Sequence, residues 1–216
     1  MILTSQRRGF RQRLKWWLQK PLHAKWTTVE WFWMIFWLLA RGWLRGWQFD
    51  AHGRLFIGSH VKVSKRFGRL LMGDGVTLSA GCLLKVSGKK SRAEIAIGDR
   101  TYVGKRTSIS AVESIHIGAD CRIGYDCWIV DHDTHSVAFI PESPTFPPDK
   151  SVVVGDHVWI GHHSLVLKGA SIGEGSVVGA GSVVRGRIAP HSLVIGNPAR
   201  RVGWTEGWVD PPSDDA

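Results

Sequence analysis

From Ile57 onward the chain keeps a six-residue beat. An aliphatic residue followed by glycine recurs at Ile57-Gly58, Met72-Gly73, Ile97-Gly98, Val103-Gly104, Ile117-Gly118, Ile123-Gly124, Val154-Gly155, Ile160-Gly161, Ile172-Gly173 and Val178-Gly179. Four places after each aliphatic sits a small or β-branched residue: Val61, Val76, Thr101, Thr107, Cys121, Cys127, Val158, Ser164, Ser176 and Ser182. Repetition at a short fixed period marks a solenoid. Each hexapeptide reads as one short strand and a turn, with its aliphatic pointing inward, its glycine at the tight backbone and its small residue in the corner. Three such faces close a triangular coil of about 18 residues, so residues one coil apart stack about 4.8 Å away. Val154 then lies over Ile172, Ile160 over Val178 and Val166 over Val184.

The beat breaks twice. Ser87 to Glu94 (SGKKSRAE) is polar and reads as surface or a subunit edge. Asp131 to about Ser151 (DHDTHSVAFIPESPTFPPDKS) is a loop leaving a rigid stack, a usual place for chemistry. Before Asp50 the pattern is helical instead. Phe10, Leu14, Trp17 and Leu18 share one helical face and Arg7, Arg11, Lys15 and Gln19 another, up to Pro21. Trp31 to Ala40 carries no charge, but ten residues are too few to span a bilayer, which needs about 20. The division expected is therefore a helical Trp- and Arg-rich arm over 1–49, a solenoid over 50–203 with a protruding loop at 131–151, and a tail over 204–216.

Charge sharpens the reading of the arm. The net charge of +10 is concentrated there: nine Lys and Arg stand before Asp50 against one acid, Glu30. Eight of the twelve tryptophans share this segment, and Trp mixed with Lys and Arg suits the headgroup boundary of a bilayer. Residues 7–47 are expected to lie on an anionic membrane surface; packing on the body or at a subunit contact is the alternative. A nucleic-acid partner is not expected, since the basic residues sit in an apolar arm. Cys82, Cys121 and Cys127 form no metal-type pair and occupy small corner slots, so they read as packing residues in a reducing cytoplasm.

The run from Val154 to Val202 resembles the C-terminal signature of the hexapeptide-repeat acyltransferases. The resemblance covers roughly 57–202, and its specific parts are Val158-Trp159-Ile160-Gly161, Gly179-Ala180-Gly181-Ser182 and Gly196-Asn197-Pro198-Ala199. It implies an all-β, left-handed parallel β-helix, a homotrimer, and acyl-CoA bound in the groove between two subunits. Acetyl-CoA would be a co-substrate, with no permanently bound cofactor and no metal. Asp131-His132-Asp133-Thr134-His135-Ser136-Val137 resembles the polysaccharide O-acetyltransferase branch, where an Asp-x-His stretch carries the base. That pattern makes His135 the base and lines the site with Trp159. The asparagine that maltose and galactoside acetyltransferases use one coil earlier has no counterpart, since Asn197 is the chain's sole asparagine. His162 stands where Gly, Ala or Ser is common.

The chemistry fits these residue types. A sugar hydroxyl needs a base with a pKa near the operating pH, which imidazole supplies. His132 is the alternative to His135. Asp131 or Asp133 would orient the ring from its other nitrogen, with the Asp133 contact strained by a separation of only two residues from His135 and Asp131 left open. Backbone N–H groups at coil corners would hold the oxyanion. Lys168, Arg200 and Arg201 are the candidates for CoA phosphates, and the backbone at Gly161, Gly179 and Ala180 for the pantetheine arm. The arm suggests an acceptor at the membrane, a lipid-linked sugar or surface-polysaccharide precursor, with the protein peripheral on the inner face of the cytoplasmic membrane. Two other readings are a zinc enzyme like the γ-class carbonic anhydrases, using His157 and His162 with a third ligand from His116, His132, His135 or His163, and a membrane-associated scaffold without activity.

Overall fold

A computed structural model of the protein describes residues 32, 33, 36, 37, 40, 48–88, 93–133, 135 and 150–209. Most of the expected arm, most of the loop and the last residues of the tail lie outside these. The chain divides into two units, Met1–Phe36 and Trp37–Ala216. In the first, Phe32, Trp33 and Phe36 are helical, exposed and in edge-on ring contact, with centroids 6.1 and 5.6 Å apart. Among the described residues no helix is long and apolar enough to cross a membrane.

The second unit is the solenoid the beat predicts. Its strands are two to six residues long and fall in three sheets, faces A, B and C, each visited once per turn. Face A runs from Asp50–Ala51 to Arg187–Ile188, face B from Leu55–Ile57 to Ser192–Gly196, and face C from Lys62–Arg66 to Val183–Val184. Successive turns pair in parallel, giving a left-handed β-helix of about six turns. The expected ladders are present: Val154 pairs with Ile172, Ile160 with Val178 and Val166 with Val184. Earlier coils are longer, as Met72 pairs with Ile97 and Ile97 with Ile117. The interior is a column of fully buried aliphatics such as Leu70, Ile95, Ile115, Ile109 and Ile129, each contributing about 1.5–3 kcal/mol.

The structure gives the small corner residues a second job. Thr101 and Thr107 donate to the carbonyls of Gly118 and Gly124 one coil on, at 2.7 and 2.8 Å. Cys82, Cys121 and Cys127 do the same with sulfur, to Gly104, Gly155 and Gly161. Ser, Thr and Cys recur there because each fits and each carries one proton. Burial pushes the Cys82 and Cys121 thiols up to about 11. Gly161 shows why the repeat needs its glycine: a Cβ there would stand 2.5 Å from the Ala180 amide nitrogen.

At the C-terminal end the chain reverses. Gly196 pairs with Ala199 across Asn197-Pro198, and Ala199–Trp204 returns antiparallel along Ser192–Gly196. The Gly-Asn-Pro-Ala element is thus the turn that ends the parallel stack.

Candidate active site

The loop leaves the helix at the corner between faces C and A, just after strand Trp128–Val130. Asp131 holds that exit. Its side chain is wholly buried, and its two carboxylate oxygens accept the N–H groups of Val112 and Glu113, one coil below, at 2.9 and 2.8 Å. Its own carbonyl accepts the Lys150 N–H at 2.9 Å, where the loop re-enters. Burial pushes the Asp131 carboxyl above the usual range, against the pull of the two N–H donors. Both oxygens are therefore committed to main chain.

Beside it, His132 Nε2 lies 2.9 Å from the Ser110 hydroxyl, which belongs to the neighbouring strand Ser108–Ala111 and is nearly buried. Asp133 forms an ion pair with Lys168, whose side chain is mostly covered in the coil above. His135 is exposed and has no hydrogen-bond partner among the described residues. One corner thus gathers Ser110, Asp131, His132, Asp133 and Lys168 from three successive coils, with His135 two residues further along the loop. The Lys168 ammonium, the expected partner of a CoA phosphate, is thus paired with the loop.

The remaining expected residues lie elsewhere. Gly161, His162, Gly179 and Ala180 occupy the corner between faces B and C, at the opposite edge of face C. His162 Nδ1 accepts the Tyr125 N–H at 2.7 Å, and the two rings lie tilted at 40° with centroids 4.7 Å apart. The same post-glycine position holds carboxylates in other coils, where Asp74 accepts from Arg54, Asp99 from Asp74 and Asp156 from Ala119. His162 is thus a corner acceptor, using Nδ1 where the other coils use a carboxylate oxygen. Next to Gly179 the space is already taken, since a Cβ there would meet Ile195 at 2.8 Å. Trp159 is exposed on face B, paired between Arg122 and Val177. Arg200 and Arg201 sit on the returning C-terminal strand, with Arg201 stacked 4.0 Å over Trp204.

Three residues escaped the sequence reading. Ser110 was discoverable, because a 20-residue coil sets it beside Val130, two residues before His132. Trp128, exposed on face C at the start of the strand that enters the loop, breaks the small-residue texture around it. Trp208 lies in the expected tail, stacked on His157 at 4.9 Å with Arg122 4.3 Å over its indole; nothing local in the sequence signals that. His157 and His162 are both engaged in these contacts. Among the described residues no group of three or more His, Cys, Asp or Glu is placed to hold a metal ion.

Comparison with known proteins agrees with this architecture. The family pattern described as bacterial transferase hexapeptide (six repeats) matches residues 151–186, and that of the hexapeptide repeat of succinyl-transferase matches 94–127. The chain is similar to a putative lipopolysaccharide biosynthesis O-acetyl transferase, WbbJ of Escherichia coli, with 36% identity over 141 residues, 62% of this chain and 70% of that protein. It is 28% identical over 197 residues to a probable acetyltransferase of Mycobacterium tuberculosis, covering 88% of this chain and 61%, less than two thirds, of the relative. Among solved structures, the N-acyltransferase AntD of Bacillus cereus, in complex with dTDP and 3-hydroxybutyryl-CoA, shares the fold at a TM-score of 0.63 and 22% identity, over 76% of this chain and 88% of that one. The polySia-specific acetyltransferase NeuO does so at 0.54 and 21%, over 77% and 82%.

Proposed function

Because this chain belongs to the hexapeptide-repeat acyltransferases, we propose that it moves an acetyl group from acetyl-CoA to a sugar hydroxyl of a surface polysaccharide or lipid-linked glycan precursor. The observation that carries the reading is the anchored corner. Asp131 pins the base of the loop to the coil below, so His132 and His135 leave the solenoid at one fixed edge. The similarity to WbbJ, a putative lipopolysaccharide biosynthesis O-acetyl transferase, supports a sugar acceptor.

His135 is the base. Its ring has no partner among the described residues, whereas His132 has one nitrogen engaged by Ser110. His135 takes the proton of the acceptor hydroxyl as its oxygen attacks the thioester carbonyl. The tetrahedral intermediate then expels the CoA thiolate, which receives that proton. No enzyme-bound acyl group forms. Asp133, held by Lys168, shapes the loop around the base.

Reacting atoms must approach to about 3–3.5 Å. The loop corner and the corner carrying Gly161, His162, Gly179 and Ala180 bound opposite edges of one face, roughly 13 Å apart at four residues of strand rise. CoA held along the second edge of one copy would meet the loop of a neighbour, which supports a homotrimer with sites between subunits. Trp159, Arg200 and Arg201 would then line the CoA path. The Trp-rich arm, residues 7–47, would hold the trimer on the anionic inner face of the cytoplasmic membrane.

The test is a screen of acyl-CoA donors against nucleotide-linked and lipid-linked sugars, reading released thiol. Acetyl-CoA with at least one sugar should release thiol at a rate that rises with sugar concentration. A chain that neither binds acyl-CoA nor releases thiol with any acceptor would leave the scaffold reading in its place.

A further inference from the structure

The first strand of face C is basic and ends, at the corner that lies beneath the loop, in an exposed aromatic. Strand Lys62–Arg66 is the terminal strand of face C, and all its residues but Val63 are exposed. Val63 pairs with buried Leu84, so Lys62, Ser64 and Arg66 point outward, level with Lys85, which pairs with Ser64. Phe67 follows at the corner, 70% exposed, with the Arg66 guanidinium 5.5 Å from its ring centre. Nearby acids are spent on other cations: Asp50 lies 3.8 Å from Lys65, and Glu94 2.6 Å from Arg69. Lys62, Arg66 and Lys85 have no ion-pair partner among the described residues.

Charges on an edge strand also deter strand pairing, which accounts for the lysines. They do not account for a phenylalanine turned to solvent beside arginine. An apolar ring flanked by cations matches the boundary between lipid headgroups and acyl chains. We infer that this end of face C, formed by Lys62, Arg66, Phe67 and Lys85, docks the β-helix body on an anionic lipid surface, separately from the N-terminal arm. Arg66-Phe67, Ser110, Asp131-His132 and Lys168 all belong to the corner between faces C and A. Three coil steps separate Phe67 from Asp131, about 14 Å at the spacing of paired strands. A docked body would thus hold the reactive loop about one or two sugar rings above the headgroups. That consequence rests on the acyltransferase reading; the docking does not.

The test uses the full chain and co-sedimentation with phosphatidylcholine vesicles, with and without phosphatidylglycerol. Each basic residue at such a surface contributes about fivefold, so K62Q/R66Q/K85Q should weaken partitioning to anionic vesicles on the order of a hundredfold with the arm unchanged. F67S should weaken it about tenfold, and the charge-retaining K62R/R66K/K85R should bind as the parent does. All variants should keep the parent's unfolding transition and its thiol release with a soluble acceptor. The inference is overturned if the charge-removed variant partitions like the parent, or if pure phosphatidylcholine binds the parent as well as the anionic mixture. It is equally overturned if the substitutions weaken binding of a single-stranded oligonucleotide but not of vesicles. Vesicle binding requires no catalysis, so its failure and a failure of the proposed activity are read separately.

Discussion

Replacing Asp131 by Asn isolates the device that holds the loop. In the parent, two main-chain donors at 2.9 and 2.8 Å share one fully buried carboxylate. An amide keeps one acceptor oxygen and turns an N–H group toward the other donor. A hydrogen bond to a charged group is worth about 1.5–3 kcal/mol, and a stranded buried N–H costs about 1–3 kcal/mol. A net loss of about 3 kcal/mol at pH 7 is expected, which for a domain of this size lowers Tm by about 6–12 °C. The pH dependence has a defined sign. Burial raises the Asp131 carboxyl above its unfolded value. Its contribution to stability is therefore fully present below the unfolded pKa of about 3.9 and is lost as pH rises through the raised folded pKa. Asn does not titrate, so the gap between parent and Asp131→Asn should narrow over that window. Thermal unfolding followed by circular dichroism between pH 4 and 8 measures it. A Tm change within about 2 °C, or a gap that widens with pH, would refute the bracket.

His162→Asn should stay within about 1 kcal/mol of the parent, because the amide oxygen can accept the Tyr125 N–H. His162→Ala strands that donor and should cost about 1–2 kcal/mol more by urea denaturation; equal stability of the two variants would show that the corner bond is idle. The three thiols are buried, with Cys82 and Cys121 pushed up to about 11, so native protein at pH 8 should not react with an aromatic disulfide reagent. All three should titrate after denaturation, and fast labelling of folded protein would contradict the packed corners.

Much of the solenoid was legible because its periodicity is a packing requirement. A residue that must sit over Val154 has to be aliphatic, and Ile172 appears where the coil length puts it. Glycines such as Gly58, Gly98, Gly124 and Gly161 face the main chain of the next coil, so that too was visible as a beat. The site was legible only in part. Asp131 announced itself as a loop carboxylate, but its choice of Val112 and Glu113 over a histidine depends on how a coil without a loop turns the same corner. Lys168 read from the motif as a candidate for a CoA phosphate, and its pairing with Asp133 arises because the corners of adjacent coils overlie. His162 looked anomalous for the family, yet it fills a position that Asp74, Asp99 and Asp156 fill elsewhere. That equivalence shows once the coils are in register. Trp208 returns to His157 from the far end of the chain, a contact that no local pattern encodes.

The proposed reaction is direct acyl transfer from a CoA thioester to a hydroxyl with His135 as the base. Its most direct test is the turnover of purified parent and His135→Ala protein with acetyl-CoA and an accepting sugar, following thiol released, acceptor acetylated and CoA affinity together. One acetylated sugar per thiol is expected in the parent, and a fall in kcat on the order of 10²- to 10⁴-fold in the variant with CoA affinity unchanged. A His135→Ala protein that acetylates the sugar at the parent's rate would contradict it.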